Sequence, residues 1–528
     1  MDCSEVIAGI KNRFPDFSVL SVTQAYVDEI YIKVSRQFFK DTCLALHKAF
    51  SSPVAMFFAS DERRDTGKFV VNCVFVNFKK SQWIIVSMDV PQDAPYFDSL
   101  AKSIHSASLF EREIWEMFGL EPKGNPDLRR LRLHDEVWPK GNYPLRKDFQ
   151  SMQAGDLSDY KFGKVEGEGV FEIPVGPVHA GIIGPGHFRF SVAGEPIINL
   201  ETRFGFTHRG VEKLFEGKSC LEAIRLSECV SGDMSFGHSL AFAQAVEKIS
   251  RVSIPKQAVY LRGIFLELER MYNHVNDIGG MAVDVGFSFP SAYASVIKEA
   301  ILQLNDKLTA SRYLKKVNAV GGVLKDLDED KRLILLDSLK SIKKDFNQLV
   351  KILYSSVSFM DRIDTTGALR RKTAEGIGVV GLIARASGIP ADLREYFPGV
   401  GAVYKEARFK MVTEESGDVL ARLKLRIAEF KESSRLIEFF TGKLMTGQEI
   451  SSYPELKQGS ALGYAEGWRG PVLYWIETDA AGLIQRCKIV DPSFLNWQGL
   501  SYAVLGNIIP DFPLCNKSFD LSYSGGDL

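Results

Sequence analysis

In the first hundred residues the apolar positions gather into short runs. Phe69–Val76 and Trp83–Met88 are rich in β-branched and aromatic side chains, the composition of strands. From Ser108 to Phe118 the period changes: Leu109, Ile114, Met117 and Phe118 recur at three- and four-residue spacing, with acids at 111, 113 and 116, which predicts a helix. These elements make a small α/β domain. Residues 121–149, dense in charge, Pro and Gly, read as an ordered but irregular arm, and 153–169, rich in Gly, Asp and Lys, as a linker. The expected division is therefore 1–152, a linker at 153–169, and 170–528.

Beyond residue 170 the pattern is mostly helical. Leu261, Ile264, Phe265, Leu268, Met271, Tyr272, Val275 and Ile278 form one broad apolar face on a helix over 261–283. Similar spacing predicts helices over 301–317, 331–354 and 419–444, and long amphipathic helices pack naturally as a bundle. Near the end, Pro471–Ile476 reads as a strand, Thr478–Gly482 as a hairpin turn and Leu483–Val490 as the returning strand, giving a small β cap. The fold class expected is α+β, a small N-terminal α/β domain followed by a large, mostly helical bundle domain.

Composition narrows the function classes. The chain has 528 residues, a prior for two to four domains, with 45% apolar and 25% charged residues, as in a well-cored globular protein. Lys+Arg 65 against Asp+Glu 66 leaves a net charge of −1, which gives nucleic acid no electrostatic reason to bind. Apolar runs such as Val472–Ile476 fall far short of the ~18–20 residues of a membrane span. Met1–Glu5 carries no signal-peptide pattern, so the default expectation is cytoplasmic. Seven scattered cysteines without a C-x-x-C pair suit buried thiols in a reducing compartment better than a disulfide framework or a local zinc or iron–sulfur site.

Three local patterns carry possible chemistry. Gly376-Ile-Gly378-Val-Val-Gly381 matches G-x-G-x-x-G, but polar Asp361–Glu375 precedes it instead of a strand, so close backbone packing is the reading preferred over a dinucleotide site. Glu267, Arg270, His274 and Asp277 fall at i, i+3, i+7 and i+10 on an otherwise apolar helix; a buried salt-bridge seam is the plainer explanation and a proton path the alternative. His179, His187, His208 and His238 concentrate in one stretch beside Gly-rich turns.

That stretch carries a family resemblance. Glu111-Arg112-Glu113 through Phe118-Gly119, Gly124-Asn125-Pro126-Asp127-Leu128-Arg129-Arg130 and Pro144–Phe149 resemble the C component of respiratory complex I (NADH:quinone oxidoreductase), with Asn125 where that family usually has His. Gly176-Pro177-Val178-His179 through Phe190 and Thr207-His208-Arg209-Gly210 through Leu214 resemble the D component of the same complex, and resemble still more the large subunit of membrane-bound, energy-converting NiFe hydrogenases of the group 4 and formate hydrogenlyase type. Glu269–His274, Arg385–Gly388, Asp392–Arg394, Gly417–Val419, Glu466–Gly470 and Asp491-Pro492 extend the match over nearly the whole chain, in a C–D fusion order.

The resemblance implies NADH dehydrogenase-type chemistry, with NAD and quinone binding, electron transport and ion translocation in a complex. It also implies partners: a small iron–sulfur subunit whose cluster lies near His208 and Arg209, ferredoxin-like subunits and antiporter-like membrane subunits, with this chain peripheral on the cytoplasmic face. Hydrogenase relatives hold nickel and iron with four thiolates, in C-G-x-C and in D-P-C-x-x-C, because these metals require anionic sulfur. Here the first pair falls on Ser231 and Met234, and the second on Ser493 and Asn496 after Asp491-Pro492. Cys229 is expected to be a buried small hydrophobe, and Gly184 stands where the relatives' proton-shuttle glutamate would be. No NiFe centre is expected, so the chain is not an active NiFe hydrogenase, and the tail Leu500–Leu528 is expected to remain and to be buried.

In complex I a His and a Tyr hold the quinone headgroup; their positions fall on Ile183 and Gly232. The expected remnant is a cavity lined by Ser231, Met234, Ser493, Asn496 and Arg469, with Arg469 as an anion or carbonyl clamp, or else paired with Glu466 or Asp392, and with Asp392 and Arg394 on a nearby loop. Glu212 matches a position that binds magnesium in many relatives. The favoured role is relay of electrons, or of conformational change, beside a partner cluster. The alternatives are a quinone reductase with a non-standard site and a redox-inactive scaffold.

Overall fold

The computed structural model describes residues 3–13, 19–180, 183–397, 400–445 and 456–528. The N-terminal half is built on a five-stranded sheet in the order Val19–Tyr26, Glu29–Val34, Gln82–Pro91, Lys68–Asn77, Met56–Glu62. All neighbours are antiparallel except Glu29–Val34 beside Gln82–Pro91, which run parallel. Both sequence-predicted strands are central, and they read as continuous apolar runs because both of their faces are covered.

The helix Ser108–Phe118 forms with the bounds its periodicity predicts and stops at Gly119, φ 70°, where a Cβ would run into Tyr143 and Arg146. Its acids do not face water. Buried Glu111 accepts from Leu100 N, Ser99 Oγ and Asn125 Nδ2, and buried Glu116 accepts from the backbone N–H groups of Leu131, Arg132 and Leu133. The irregular arm is ordered because these carboxylates satisfy its backbone and side-chain donors.

A three-stranded antiparallel sheet, Val170–Val175, His187–Ala193 and Ile197–Arg203, lies where the sequence predicts mostly helix. Its outer strand is largely exposed, so it lacks the apolar alternation that marks a half-buried strand. Lys256–Asp284 is the central helix, packed by Ser288–Thr309 and Val419–Thr441; Glu329–Ser355 packs in turn on Ser288–Thr309 and Val419–Thr441. The helix predicted over 301–317 starts earlier and ends at Thr309, since Ala310, Leu314 and Lys316 all take positive φ. Leu314 and Val317 are still buried, from an irregular segment, which is why their spacing mimics a helix.

The predicted hairpin appears as Pro471–Thr478 and Ile484–Val490, with a third strand, Gly459–Glu466, that the sequence does not announce. That strand is rich in small residues because it presses on the Ser235–Ser250 helix: a Cβ on Gly463 would lie 1.9 Å from Ala241 O. Leu462, Leu473, Trp475 and Val490 from this sheet share one apolar core with Phe57, Ile84 and Phe97 of the N-terminal half. Lys248 adds a polar tie between the halves, 2.7 Å from both Asp28 Oδ2 and Glu29 Oε1. Among the described residues, no helix is long and apolar enough to cross a membrane.

Gly378 and Gly381 have φ of 76° and 62°, and a Cβ on Gly381 would stand 2.1 Å from Arg469 O. The Arg371–Ile377 helix, not a strand, precedes them, so close backbone packing accounts for these two glycines.

Candidate functional site

The turn Glu466–Gly470 joins two strands of the C-terminal sheet and presents Arg469. Its guanidinium is bidentate to Asp233, with Nη1 to Oδ1 at 2.9 Å and Nη2 to Oδ2 at 2.6 Å, while Nε donates to Asp520 O. Asp233 belongs to Ser231–Met234, the segment entering the Ser235–Ser250 helix. Ser231 Oγ lies 2.9 Å from Asp233 Oδ1 and 2.9 Å from Ser522 Oγ. Ser522 N donates to Ser493 Oγ at 2.9 Å, and Ser493 N donates to Asp491 Oδ1 at 2.7 Å. Asp491 Oδ2 in turn sits 3.1 Å from Nε2 of buried His238, whose Nδ1 is 2.9 Å from Tyr474 Oη. The C-terminal segment is thereby threaded through the site, with Leu528 buried and its carbonyl accepting from Arg209 N at 2.9 Å.

This geometry revises several expectations. Arg469 pairs with Asp233 rather than with Glu466 or Asp392, so its planar fork is already filled. Asn496 exchanges hydrogen bonds with the backbone of Val380, 2.9 Å to its N and 3.2 Å to its O, and holds the glycine turn instead of facing Ser231. Ser493 Oγ reaches the cluster through Ser522 N. Met234 packs against Gly467, leaving no room there for a Cβ. The residue that meets Ser231 is Ser522, which sequence reasoning missed by stopping at Asp491-Pro492. The signal was present: Asp520-Leu521-Ser522-Tyr523-Ser524-Gly525 has the D-x-C-x-x-C spacing, with Ser and Gly at the two thiolate places. Cys229 is exposed, not buried; it follows the end of the Cys220–Ser227 helix, and its carbonyl accepts from Arg209 Nη1 at 2.9 Å.

Asp392 and Arg394 lie in a buried salt-bridge network rather than beside Arg469. Arg394 pairs with Asp392 at 2.7 Å and with Glu267 at 3.3 Å; Arg385 pairs with Glu429 at 2.7 Å, Glu466 at 3.1 Å and Asp392 at 3.3 Å. Glu267, Arg270 and His274 join it, His274 through Glu429 at 3.1 Å, while Asp277 pairs with Arg426 at 2.8 Å. The stripe is the salt-bridge seam expected of its spacing. Burial depresses His274 to about 4, so it is neutral at pH 7. Burial, reinforced by Asp520, raises Asp277, while Lys517 and the contact with Asp277 lower Asp520.

Glu212 does not present a free carboxylate to a metal. Its oxygens take Lys488 Nζ at 3.0 Å, Arg486 Nη1 at 2.8 Å and Ile489 N at 3.1 Å, and Lys488 also pairs with Glu113. Burial alone would raise the Glu212 carboxyl, but Lys488, Arg486 and Arg132 outweigh it and hold the group at about 2. A magnesium ion at Glu212 would have to displace the Lys488 ammonium that pairs with this carboxylate. Among the described residues, no group of three or more His, Cys, Asp or Glu is arranged to hold a metal.

His208 and Arg209 are tied to the C-terminal residues, His208 Nδ1 at 2.8 Å from Asp527 O. Ile183 is exposed, Gly184 packs on Tyr523, and a Cβ added at Gly232 would meet nothing within 4 Å. His187 Nδ1 lies 3.4 Å from Gly176 O. Unforeseen is a contact between His179 Nε2 and Tyr523 Oη at 3.4 Å, which brings a His and a Tyr together from opposite ends of the second half.

Residues 32–154 match the respiratory-chain NADH dehydrogenase 30 Kd subunit family, and residues 284–457 match the 49 Kd subunit family. Formate hydrogenlyase subunit 5 of Escherichia coli (strain K12) is 30% identical over 530 residues, covering 99% of this chain and 92% of that protein. The chain belongs to this fused-subunit family. Hydrogenase-4 component G of the same organism is 29% identical over 530 residues, with the same coverage. The D component of NADH-quinone oxidoreductase from Clostridium beijerinckii is 30% identical over 348 residues, 65% of this chain and 94% of that protein. The family thus joins complex I 30 kDa- and 49 kDa-type units in one chain and is related to group 4 hydrogenase large subunits.

The donor set does not fit a NiFe pair. Ser231 and Ser522 offer neutral hard oxygens, Gly525 offers no side chain and Met234 one thioether, whereas nickel and low-spin iron require thiolate sulfur.

Proposed function

We propose that this chain is the large subunit of a membrane-associated, ion-translocating oxidoreductase complex of the complex I and energy-converting hydrogenase class, without a NiFe centre of its own. The observation that supports the reading is the Ser231–Ser522 contact, locked by the Arg469–Asp233 pair: two hydroxyls meet at positions that the resemblance matches to thiolates in the hydrogenase relatives. Such a cluster suits transmission of strain or protonation better than metal chemistry, because its members are charged or hydrogen-bonded groups with defined alternatives. The implied partners are a small iron–sulfur subunit, its cluster near His208 and Arg209, ferredoxin-like subunits and membrane subunits. Elemental analysis of the purified complex tests this reading: nickel is expected to be absent, with no hydrogen uptake to a dye. Stoichiometric nickel sinks it.

The His179–Tyr523 contact favours one second reading, a quinone site built from non-standard residues. Tyr523 is raised to about 12, chiefly by burial, so it keeps its proton and can donate to a carbonyl. Quinone reductase activity lost in both Tyr523→Phe and His179→Ala, with assembly intact, would select it; activity absent from the wild-type complex removes it.

A further inference from the structure

The glycine turn that packing explains at Gly378 and Gly381 also borders a cavity of about 900 Å³ between the two halves, within the ~300–1,000 Å³ range of small-molecule sites. Its walls are apolar and come from both halves, Phe78 and Trp83 on one side, Val379, Ala384 and Leu393 on the other. Its floor holds Asp392 and Glu466, already neutralised by Arg385 and Arg394, so the floor does not call for a cation. Its mouth is basic on balance, with Lys48 from the Arg36–Phe50 helix and Arg371, Lys372 and Glu375 from the Arg371–Ile377 helix. Arg371 is paired with Glu375 at 2.8 Å. Lys48 and Lys372 are exposed and have no ion pair among the described residues. Gly376 stands at this mouth, and a Cβ added there would meet nothing within 4 Å.

We propose that this cavity binds an anionic amphiphile, its apolar chain between the halves and its acidic headgroup at Lys48 and Lys372. A burial-competent apolar space recruits a chain at roughly 0.8 kcal/mol per buried CH₂, and the two lysines, one from each half, supply the charge that a neutral chain would not need. A nucleotide fits poorly. The positive-φ glycines are consumed by contact with Arg469, Gly470, Ser106 and Pro53, and two carboxylates underlie the space. An occupant would touch Glu466, three residues before Arg469, and so bear on the turn that reaches Asp233.

The test uses the full-length chain with two anionic probes, sodium oleate below its critical micelle concentration and phosphatidylglycerol in phosphatidylcholine vesicles, against neutral decylubiquinone and NADH. Oleate is expected to raise the melting temperature, and a dibrominated stearate to quench a fluorescence component that is missing in Trp83→Phe. The Lys48→Glu/Lys372→Glu variant is expected to bind about tenfold more weakly. Gly376→Trp, or the milder Gly376→Leu, should close the mouth and abolish the shift while leaving the melting temperature without probe unchanged. Response to oleate alone assigns a free fatty acid; response to phosphatidylglycerol as well assigns a membrane lipid. The proposal is overturned by absence of shift and quenching with both probes, by equal or tighter binding of decylubiquinone or NADH, or by binding indifferent to both the charge reversal and the Gly376 variants.

Discussion

Ser231 and Ser522 lie 291 residues apart in sequence and hold their hydroxyl oxygens 2.9 Å apart in the fold. Ser522 Oγ also accepts from Gly525 N at 3.0 Å, so it fixes both the C-terminal turn and the Ser231 segment. Ser522→Ala removes an acceptor from one buried N–H and a partner from one buried hydroxyl, and is expected to cost about 1–3 kcal/mol. Urea unfolding of the full chain reads this directly; a loss well under that range would mean that water replaces the hydroxyl.

Arg469→Lys keeps the charge but gives up the bidentate contact with Asp233 and the Nε bond to Asp520 O. The guanidinium is almost wholly buried, so the variant should be destabilised by about 1–3 kcal/mol, not merely impaired in turnover. An unchanged melting temperature together with lost electron transfer would restore the clamp role in place of the structural pair.

Lys488 bridges Glu212 and Glu113 with nearly complete burial of all three side chains. Lys488→Met strands two carboxylates near each other and is expected to cost about 3–5 kcal/mol. Magnesium added to the wild type should leave its melting temperature unchanged, and EDTA likewise; a stabilising magnesium titration would reopen Glu212 as a metal position.

Burial raises the Glu269 carboxyl to about 8, with Asp233 adding to the effect against the N–H groups of Phe236 and Gly237 that it accepts from. The unfolded chain releases this proton near 4.5 and the folded chain near 8. Between those values the folded state binds more protons, so the contribution to stability is full below the lower value and is lost as pH rises through the upper one. Glu212 has the opposite sign: held at about 2, its contribution is present above 4.5 and lost as pH falls toward 2. Glu269→Gln should flatten the decline in stability between pH 5 and 8, roughly a few kcal/mol in all. A slope identical to wild type would assign that decline to another group.

The boundary at 153–169 is proposed as the first site of proteolysis, since 153–159 is exposed and without regular structure. Tyr160 under Arg129 and Arg203, and Phe162 beside Arg189, pin its middle, so cutting should begin on the N-terminal side. The fragments should stay together through the core shared by both sheets and the Lys248 contacts. First cleavage inside 69–118 or 261–283 would misplace the boundary.

Local rules reached the elements whose neighbours in sequence are also their physical context. The central strands Lys68–Asn77 and Gln82–Pro91, the helices Ser108–Phe118 and Lys256–Asp284, and the hairpin closed at Gly482 each follow from side-chain periodicity and turn chemistry that a short window contains. The Glu267–Asp277 stripe was legible as a seam for the same reason, because helical spacing alone places those charges on one buried face. The absence of a C-x-x-C pair was likewise written in the residues themselves. Tertiary structure alone decided which groups meet: Ser522 with Ser231, Arg469 with Asp233, Lys488 with Glu212, His179 with Tyr523. These pairs span 236 to 344 residues of chain. Nothing in a local pattern distinguishes a carboxylate that will hold a metal from one that a distant lysine will neutralise. Nor could periodicity foresee the exposed strand Val170–Val175 or the cavity at Gly376, since the first exists by pairing with His187–Ala193 and the second by the docking of two halves whose apolar faces each look complete in sequence.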